Sequence, residues 1–155
     1  MNSISEALGA SAAPHELELN GRVVHLTMPT QRVKSELERW LYQKHIKSVQ
    51  EAKELIEPGE YTAMLNEAIK RHGAGEFSWG GQALATALRA PLAMSKLMSL
   101  ISIDPATKAP VSFDEFQKAF SDEGQVELLV ASMAAVVEES KATAKKKATS
   151  PSQSE

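Results

Sequence analysis

The residue types that could do chemistry are four histidines, a large set of carboxylates, a glycine-rich stretch and a cluster of three lysines, with no cysteine anywhere in the chain. The histidines His15, His25, His45 and His72 would serve a metal site or acid–base catalysis if they converged with one another or with acids. Their spacing argues against that. His15-Glu16 lacks the second histidine of a zincin helix, and the segment alternates like a strand, which would send the pair to opposite faces. Glu36, Glu38, Glu51, Glu54 and Glu57 interleave with Lys34, Arg39, Lys47 and Lys53, the pattern of a solvated helix face rather than a catalytic pair. Gly73, Gly75, Gly80 and Gly81 surround Ser78-Trp79, but no Gly-Lys-Ser/Thr follows them and no strand precedes them, so they read as punctuation rather than a phosphate loop. No nucleophile elbow, kinase set or paired acid motif is present, and the expectation is a nonenzymatic protein with no catalytic residue, no metal ligand and no cofactor.

Two features remain that could serve binding. Between Leu92 and Ile101 the apolar residues outnumber those one helical face can bury, and Leu92, Met94, Leu97 and Met98 therefore stand as candidate partner-capturing residues; methionine adapts to imperfect partners. The second is Lys145-Lys146-Lys147, a candidate electrostatic element. Without arginine or aromatic neighbours it carries no specific nucleic-acid signal.

The elements that must position these residues are mostly helical. Leu17 and Leu19 alternate with Glu16 and Glu18, Asn20-Gly21 follows, and Val24 and Leu26 alternate with Val23 and His25. Asn-Gly suits a type I′ turn because both central residues need positive φ, so residues 15–28 are expected to form a hairpin pairing Leu19 with Arg22 and His15 with about Leu26. A lone hairpin is marginal in water and must pack on something. Thr30 can cap a long helix to about Glu57, with Val33, Leu37, Trp40, Leu41, Ala52, Leu55 and Ile56 along its inner stripe. A second helix is expected over Glu60–His72 with Tyr61, Leu65, Ala68 and Ile69 inward, and a third capped by Ser78, with Pro91 either starting a fourth or kinking a continuous one. Ser112 and Glu115 form a capping box before Phe113, Phe116 and Phe120. A terminal helix follows with Val126, Leu129, Val130, Met133 and Val137 inward, and both tryptophans are expected in the core.

The fold class is thus mainly α: a compact multi-helix domain over 14–140, its N-terminal hairpin packed on the first long helix. Residues 1–13 are expected to be a flexible arm and 141–155 a disordered basic tail. With 155 residues, 43% hydrophobic and 24% charged, the chain suits one soluble domain. Aromatics are only 5%, which leaves the core to aliphatic residues and methionine. The net charge of −3 is uneven, because the last fifteen residues hold four lysines and one glutamate and the body is correspondingly acidic. An acidic body does not offer the basic face of a duplex-binding domain. No stretch reaches the ~20 apolar residues of a bilayer crossing, and no signal peptide is evident, so the chain reads as cytoplasmic with no membrane partner.

Taken in order, Leu17-Glu18-Leu19-Asn20-Gly21-Arg22-Val23-Val24-His25-Leu26, Glu38-Arg39-Trp40, Phe77-Ser78-Trp79-Gly80, Leu88-Arg89-Ala90-Pro91 and Val111-Ser112-Phe113-Asp114-Glu115-Phe116 span most of the chain. In this arrangement the sequence resembles the small tail assembly chaperones of long-tailed bacteriophages, proteins encoded beside the tape measure protein. The resemblance implies a nonenzymatic helper that coats and solubilises the tape measure protein in the host cytoplasm while tail tube subunits assemble around it. Tail tube subunits are the second implied partner class. It further implies that a longer form can arise by programmed frameshifting, for which an adenine run encoding Lys145-Lys146-Lys147 would be the slippery stretch. The alternatives are a structural virion protein, such as a minor tail or head-to-tail connector component, and a cytosolic helical adaptor unrelated to phage. The sequence specifies no oligomeric state.

Overall fold

The computed structural model describes residues 15–122, 126–127, 130–131 and 134–136. The N-terminal arm and the lysine tail of the sequence reading lie outside the described residues, as do Leu129, Met133 and Val137.

Strands β1 (His15–Leu19) and β2 (Arg22–Leu26) pair antiparallel in the expected register, from Leu19 opposite Arg22 to His15 opposite Leu26. Asn20 and Gly21 sit at φ 51° and 76°, the left-handed pair that a type I′ turn requires. Alternation places Leu17, Leu19, Val24 and Leu26 inward, all essentially buried. A third strand, β3 (Ser102–Ile103), extends the sheet by pairing with β2, His25 opposite Ile103 and Leu26 opposite Ser102. Two residues are too short to register in a periodicity, which is why the sequence showed only a hairpin.

Helix α1 (Gln31–Glu51) is capped by the Thr30 hydroxyl, which accepts from the Val33 N–H at 3.3 Å. It ends six residues before the expected Glu57, and a 3₁₀ turn (Ala52–Glu54) follows. The tighter turn breaks the helical phase, so Leu55 leaves the inner stripe and is 84% exposed. Helix α2 (Pro58–Gly73) begins with proline in its first turn and packs back on α1. Helix α3 (Gln82–Ala87) starts later than expected, with Gly81 rather than Ser78 at its cap. Ser78 instead belongs to a chain of turns, donating its N–H to the Gly75 carbonyl and accepting at its own carbonyl from the Gly81 N–H. Helix α4 (Pro91–Ile101) starts at its proline, and α5 (Phe113–Phe120) is capped by Ser112, whose hydroxyl accepts from the Glu115 N–H. Residues 126–127, 130–131 and 134–136 are helical. In that segment Val136 is buried, whereas Val130, expected inward, is half exposed.

The core is one cluster in which the inner hairpin face meets Leu37 of α1, Leu97, Met98 and Ile101 of α4, and Phe116 and Phe120 of α5. The hairpin therefore packs on more than the first helix. Trp40 and Trp79, expected in the core, lie at its margin, partly buried against it. Trp40 meets Phe113 edge-on at 6.4 Å, and Lys34 lies over the Trp79 ring.

Polar ties fix the loops. Arg22, beside the hairpin turn, donates to Asp104 Oδ2 at 2.7 Å and to Glu115 Oε2, joining the sheet to the β3–α5 loop and to α5. Glu38, expected on a solvated face, is half-buried and accepts from the Trp79 N–H at 2.6 Å, fastening the loop after α2 to α1. Gly81 sits so close to the backbone there that a Cβ would lie 2.4 Å from the Gly75 oxygen.

Two outcomes follow from these ties. Gly81→Ala should lower stability by about 1–3 kcal/mol in denaturant titration, because backbone rather than a flexible side chain must yield. Asp104 is held below the ordinary carboxylate range of 3.8, first by the Ala106 N–H on Oδ1 and further by the Thr107 N–H and Arg22, against an opposing effect of burial. A depressed pKa gives stability that is complete above about pH 4, the unfolded-chain value, and is lost as pH falls through the lower folded value. Acid unfolding of Asp104→Asn, followed by circular dichroism, should therefore show a weaker pH dependence below about pH 4 than the parent protein.

Candidate functional site

The binding residues read from sequence divide in the structure. Leu97 and Met98 are completely buried, enclosed by the hairpin, α1 and α5, and are core rather than surface. Leu92 is half-buried, and Met94 is partly buried with its side chain packed against the core. The surplus of apolar residues in α4 is consumed on several sides at once: Ala93, Ser95, Leu97, Met98 and Ile101 are all buried. The Ser95 hydroxyl is satisfied by donating to the Pro91 carbonyl at 2.7 Å, so it tolerates that burial. Lys145, Lys146 and Lys147 lie outside the described residues.

The histidines stay apart. His25 Nε2 lies 3.5 Å from Glu16 Oε1 across the outer face of the hairpin, and His15 stands opposite Leu26. His72 stacks on Tyr42 at 4.0 Å, and His45 lies 5.3 Å from Phe77. Among the described residues no three of His, Asp and Glu gather in a way that could hold a metal ion. No helix among them is long and apolar enough to cross a membrane.

Exposed apolar surface appears elsewhere. Leu55, Met64 and Ile69 are 84%, 43% and 53% exposed, and all three lie on the 3₁₀ turn's exit or on α2. Helix α2 buries only Ala68 fully, with Tyr61 and Leu65 half-buried. Its main neighbour is α1, so one stripe is covered and the apolar residues flanking it, Met64 to one side and Ile69 to the other, remain in water. Ile69 was expected inward; at helical spacing it falls about 80° from Tyr61, past the edge of the buried stripe.

Beside α2 runs a trough. Its first part, a cavity of about 490 Å³, is lined by His45 and Val49 of α1 and by Ala63, Met64, Ala68 and Arg71 of α2, with Glu67 also on its wall. A second cavity of about 420 Å³ shares His45 and Arg71 and continues to Gln82, Ala83, Thr86 and Ala87 of α3. Arg71 is fixed where the two join: its Nε donates to Glu76 Oε2 at 2.6 Å and its guanidinium lies 5.5 Å from the Phe77 ring centre. Phe77, buried, also meets Tyr42 edge-on and so holds the trough's inner end to α1. The two cavities are open, the first mainly apolar and the second, towards α3, more polar, with Arg71 and Glu76 as fixed polar groups.

The chain matches no family model, no curated protein and no solved structure.

Sequence reasoning missed the trough because its walls are alanines, which carry little signal in a hydrophobic periodicity. What could have found it is the phase of α2: Glu60, Met64, Glu67 and Arg71 recur at i, i+4, i+7 and i+11, a face distinct from Tyr61, Leu65 and Ala68. The contrast between a buried and an exposed apolar position is measurable. Met98→Gln should cost about 2–4 kcal/mol in urea unfolding, since it buries an unpaired amide in place of a thioether, whereas Ile69→Ser should stay within about 0.5 kcal/mol of the parent.

Proposed function

We propose that this protein is a nonenzymatic tail assembly chaperone of a long-tailed bacteriophage, which binds the tape measure protein in the host cytoplasm and keeps it soluble while tail tube subunits assemble around it. The observation that carries the reading is the exposed apolar surface along the α1–α2 arm, where Leu55, Met64 and Ile69 remain in water beside an open trough. Leu55, Met64 and Ile69 give this arm apolar side chains that a partner helix can cover. A tape measure protein is long and helical, and an unassembled long helix has apolar faces that need temporary shielding. Helix-to-helix contact of this kind is non-covalent and reversible, as release during assembly demands. The order of the sequence elements, from Leu17 to Phe116, supports the phage assignment. The capture residues in this reading are those of α2, with Leu92 and Met94 at most at the edge of the contact.

Tagged protein purified from cells during phage assembly should bring the tape measure protein with it, identified by mass spectrometry, and should be missing from finished particles. Stoichiometric presence in particles would instead make it a structural virion protein, and stable folding with neither tape measure nor particle association would leave a cytosolic adaptor. In the same assay a Leu55→Glu/Ile69→Glu variant should retain the parent's circular dichroism and capture several-fold less tape measure protein.

A further inference from the structure

We infer that the concavity where α1 passes α4 is an anion site, which takes the phosphate group of a small soluble phosphate monoester. It shares no lining residue with the two cavities beside α2, so it stands or falls separately from the chaperone reading.

Two elements build it. A cavity of about 430 Å³ is lined by Arg32 and Arg39 of α1 and by Lys96 of α4, which packs beside α1. The seven-residue spacing of the two arginines puts them on one face of α1, two turns or about 10 Å apart, and Lys96 enters from the neighbouring helix. Trp40, half-buried and held edge-on to Phe113, gives the cavity an apolar wall, while Ser35 and Gln43 add a hydroxyl and an amide as donors.

The charges in it are uncompensated. None of Arg32, Arg39 and Lys96 has a carboxylate within ion-pair distance among the described residues. Glu36, the one acid of the lining, lies four residues after Arg32 and three before Arg39, spacings that suit helical ion pairs, and it makes neither. Three cations against one carboxylate leave the lining at +2 in a chain whose net charge is −3. Arg32 also stands in the first turn of α1, which holds no acidic residue, so the positive end of the helix dipole adds to its charge. Like charges gathered around one concavity repel, and a dianion placed among them relieves that repulsion. A phosphate monoester brings two charges and three terminal oxygens, one for each cation, where a carboxylate brings one charge and two oxygens. The Trp40 wall then receives the organic part.

The probe is phenyl phosphate. Isothermal titration of the full chain at physiological ionic strength, where diffuse surface charge is screened beyond about 8 Å, should give saturable binding at a single site, tighter than that of inorganic phosphate. Arg39→Ala and Lys96→Gln should each weaken it about tenfold, the loss of one charge-assisted hydrogen bond. Glu36→Gln, which removes the one acid of the lining, should tighten it several-fold. Lys47→Ala, at an exposed cation of α1 outside the lining, should leave it unchanged. Circular dichroism confirms that each variant is folded. Absence of binding, an equal loss in Lys47→Ala, or no gain in Glu36→Gln would overturn the assignment, since the cations would then be no more than a solvated helix face. Retention by phosphatidic acid vesicles that Arg39→Ala removes would overturn it too, because the phosphate would then belong to a membrane. So would capture of a polyglutamate peptide that phenyl phosphate fails to displace, because the anion would then belong to a protein.

Discussion

A two-stranded hairpin with one apolar face cannot stand alone, and this fold is arranged around covering that face. Leu17, Leu19, Val24 and Leu26 present four large side chains on one side of a ribbon five residues long. At roughly 1.5–3 kcal/mol for each side chain taken out of water, leaving them uncovered would cost a large fraction of a small domain's net stability. Leu37 comes from α1, Leu97, Met98 and Ile101 from α4, and Phe116 and Phe120 from α5 to close over them. The elements that do so are distant in sequence, so the connections must be held. Arg22 does this at the turn, drawing in Asp104 and Glu115 from the far side of the chain. β3 does it at the other edge, and the Thr27 N–H and hydroxyl both donate to the Ile101 carbonyl.

This demand explains why Leu97 and Met98 of α4 are core residues. The α4 sequence is the most apolar in the chain, which by itself fits either a partner groove or a core helix buried on several sides. The choice is made by topology. α4 leads directly into β3, so its last turn is pinned beside β2, and Leu97, Met98 and Ile101 have nowhere to point but into the hairpin and α5. Methionine is used there for what its flexible side chain does well, filling the irregular space where a sheet meets three helices.

The sequence was legible where a local rule dictates geometry. Asn20-Gly21 specified the turn, its register and the inward set of the hairpin; Thr30 and Ser112 specified two helix starts through their hydroxyls, while Pro91 left a start and a kink both open and the structure has the start. It was illegible where the outcome depends on what lies across the fold. Leu55 fits the α1 stripe by spacing, but the 3₁₀ turn before it rotates it into water. Ser78 has the chemistry of a cap, yet the positive φ of Gly80 and the tight packing of Gly81 carry the chain through another turn before α3 begins. Glu38 belongs by pattern to a solvated face, but it accepts a backbone hydrogen bond from a loop forty-one residues away. None of these is visible in periodicity: Leu55 and Ser78 are decided by irregular turns beside them, and Glu38 by one hydrogen bond to a partner distant in sequence.

The same logic separates α2 from the rest of the molecule. Every other long element contributes to the cover over the hairpin, whereas none of α2's residues belongs to the buried cluster there. It is held by a seam with α1, by His72 on Tyr42, and by Arg71 reaching Glu76 and Phe77. That seam uses small or half-buried side chains and leaves Met64 and Ile69 uncovered, an arrangement that gains less from burial than a helix of sixteen residues can. Ala63 and Ala68 of α2 and Ala83 and Ala87 of α3 leave open space beside the helix, with Glu67 on its wall. Larger side chains there would fill that space and bury more apolar area, so the opening beside α2 is a direct consequence of the small side chains that line it.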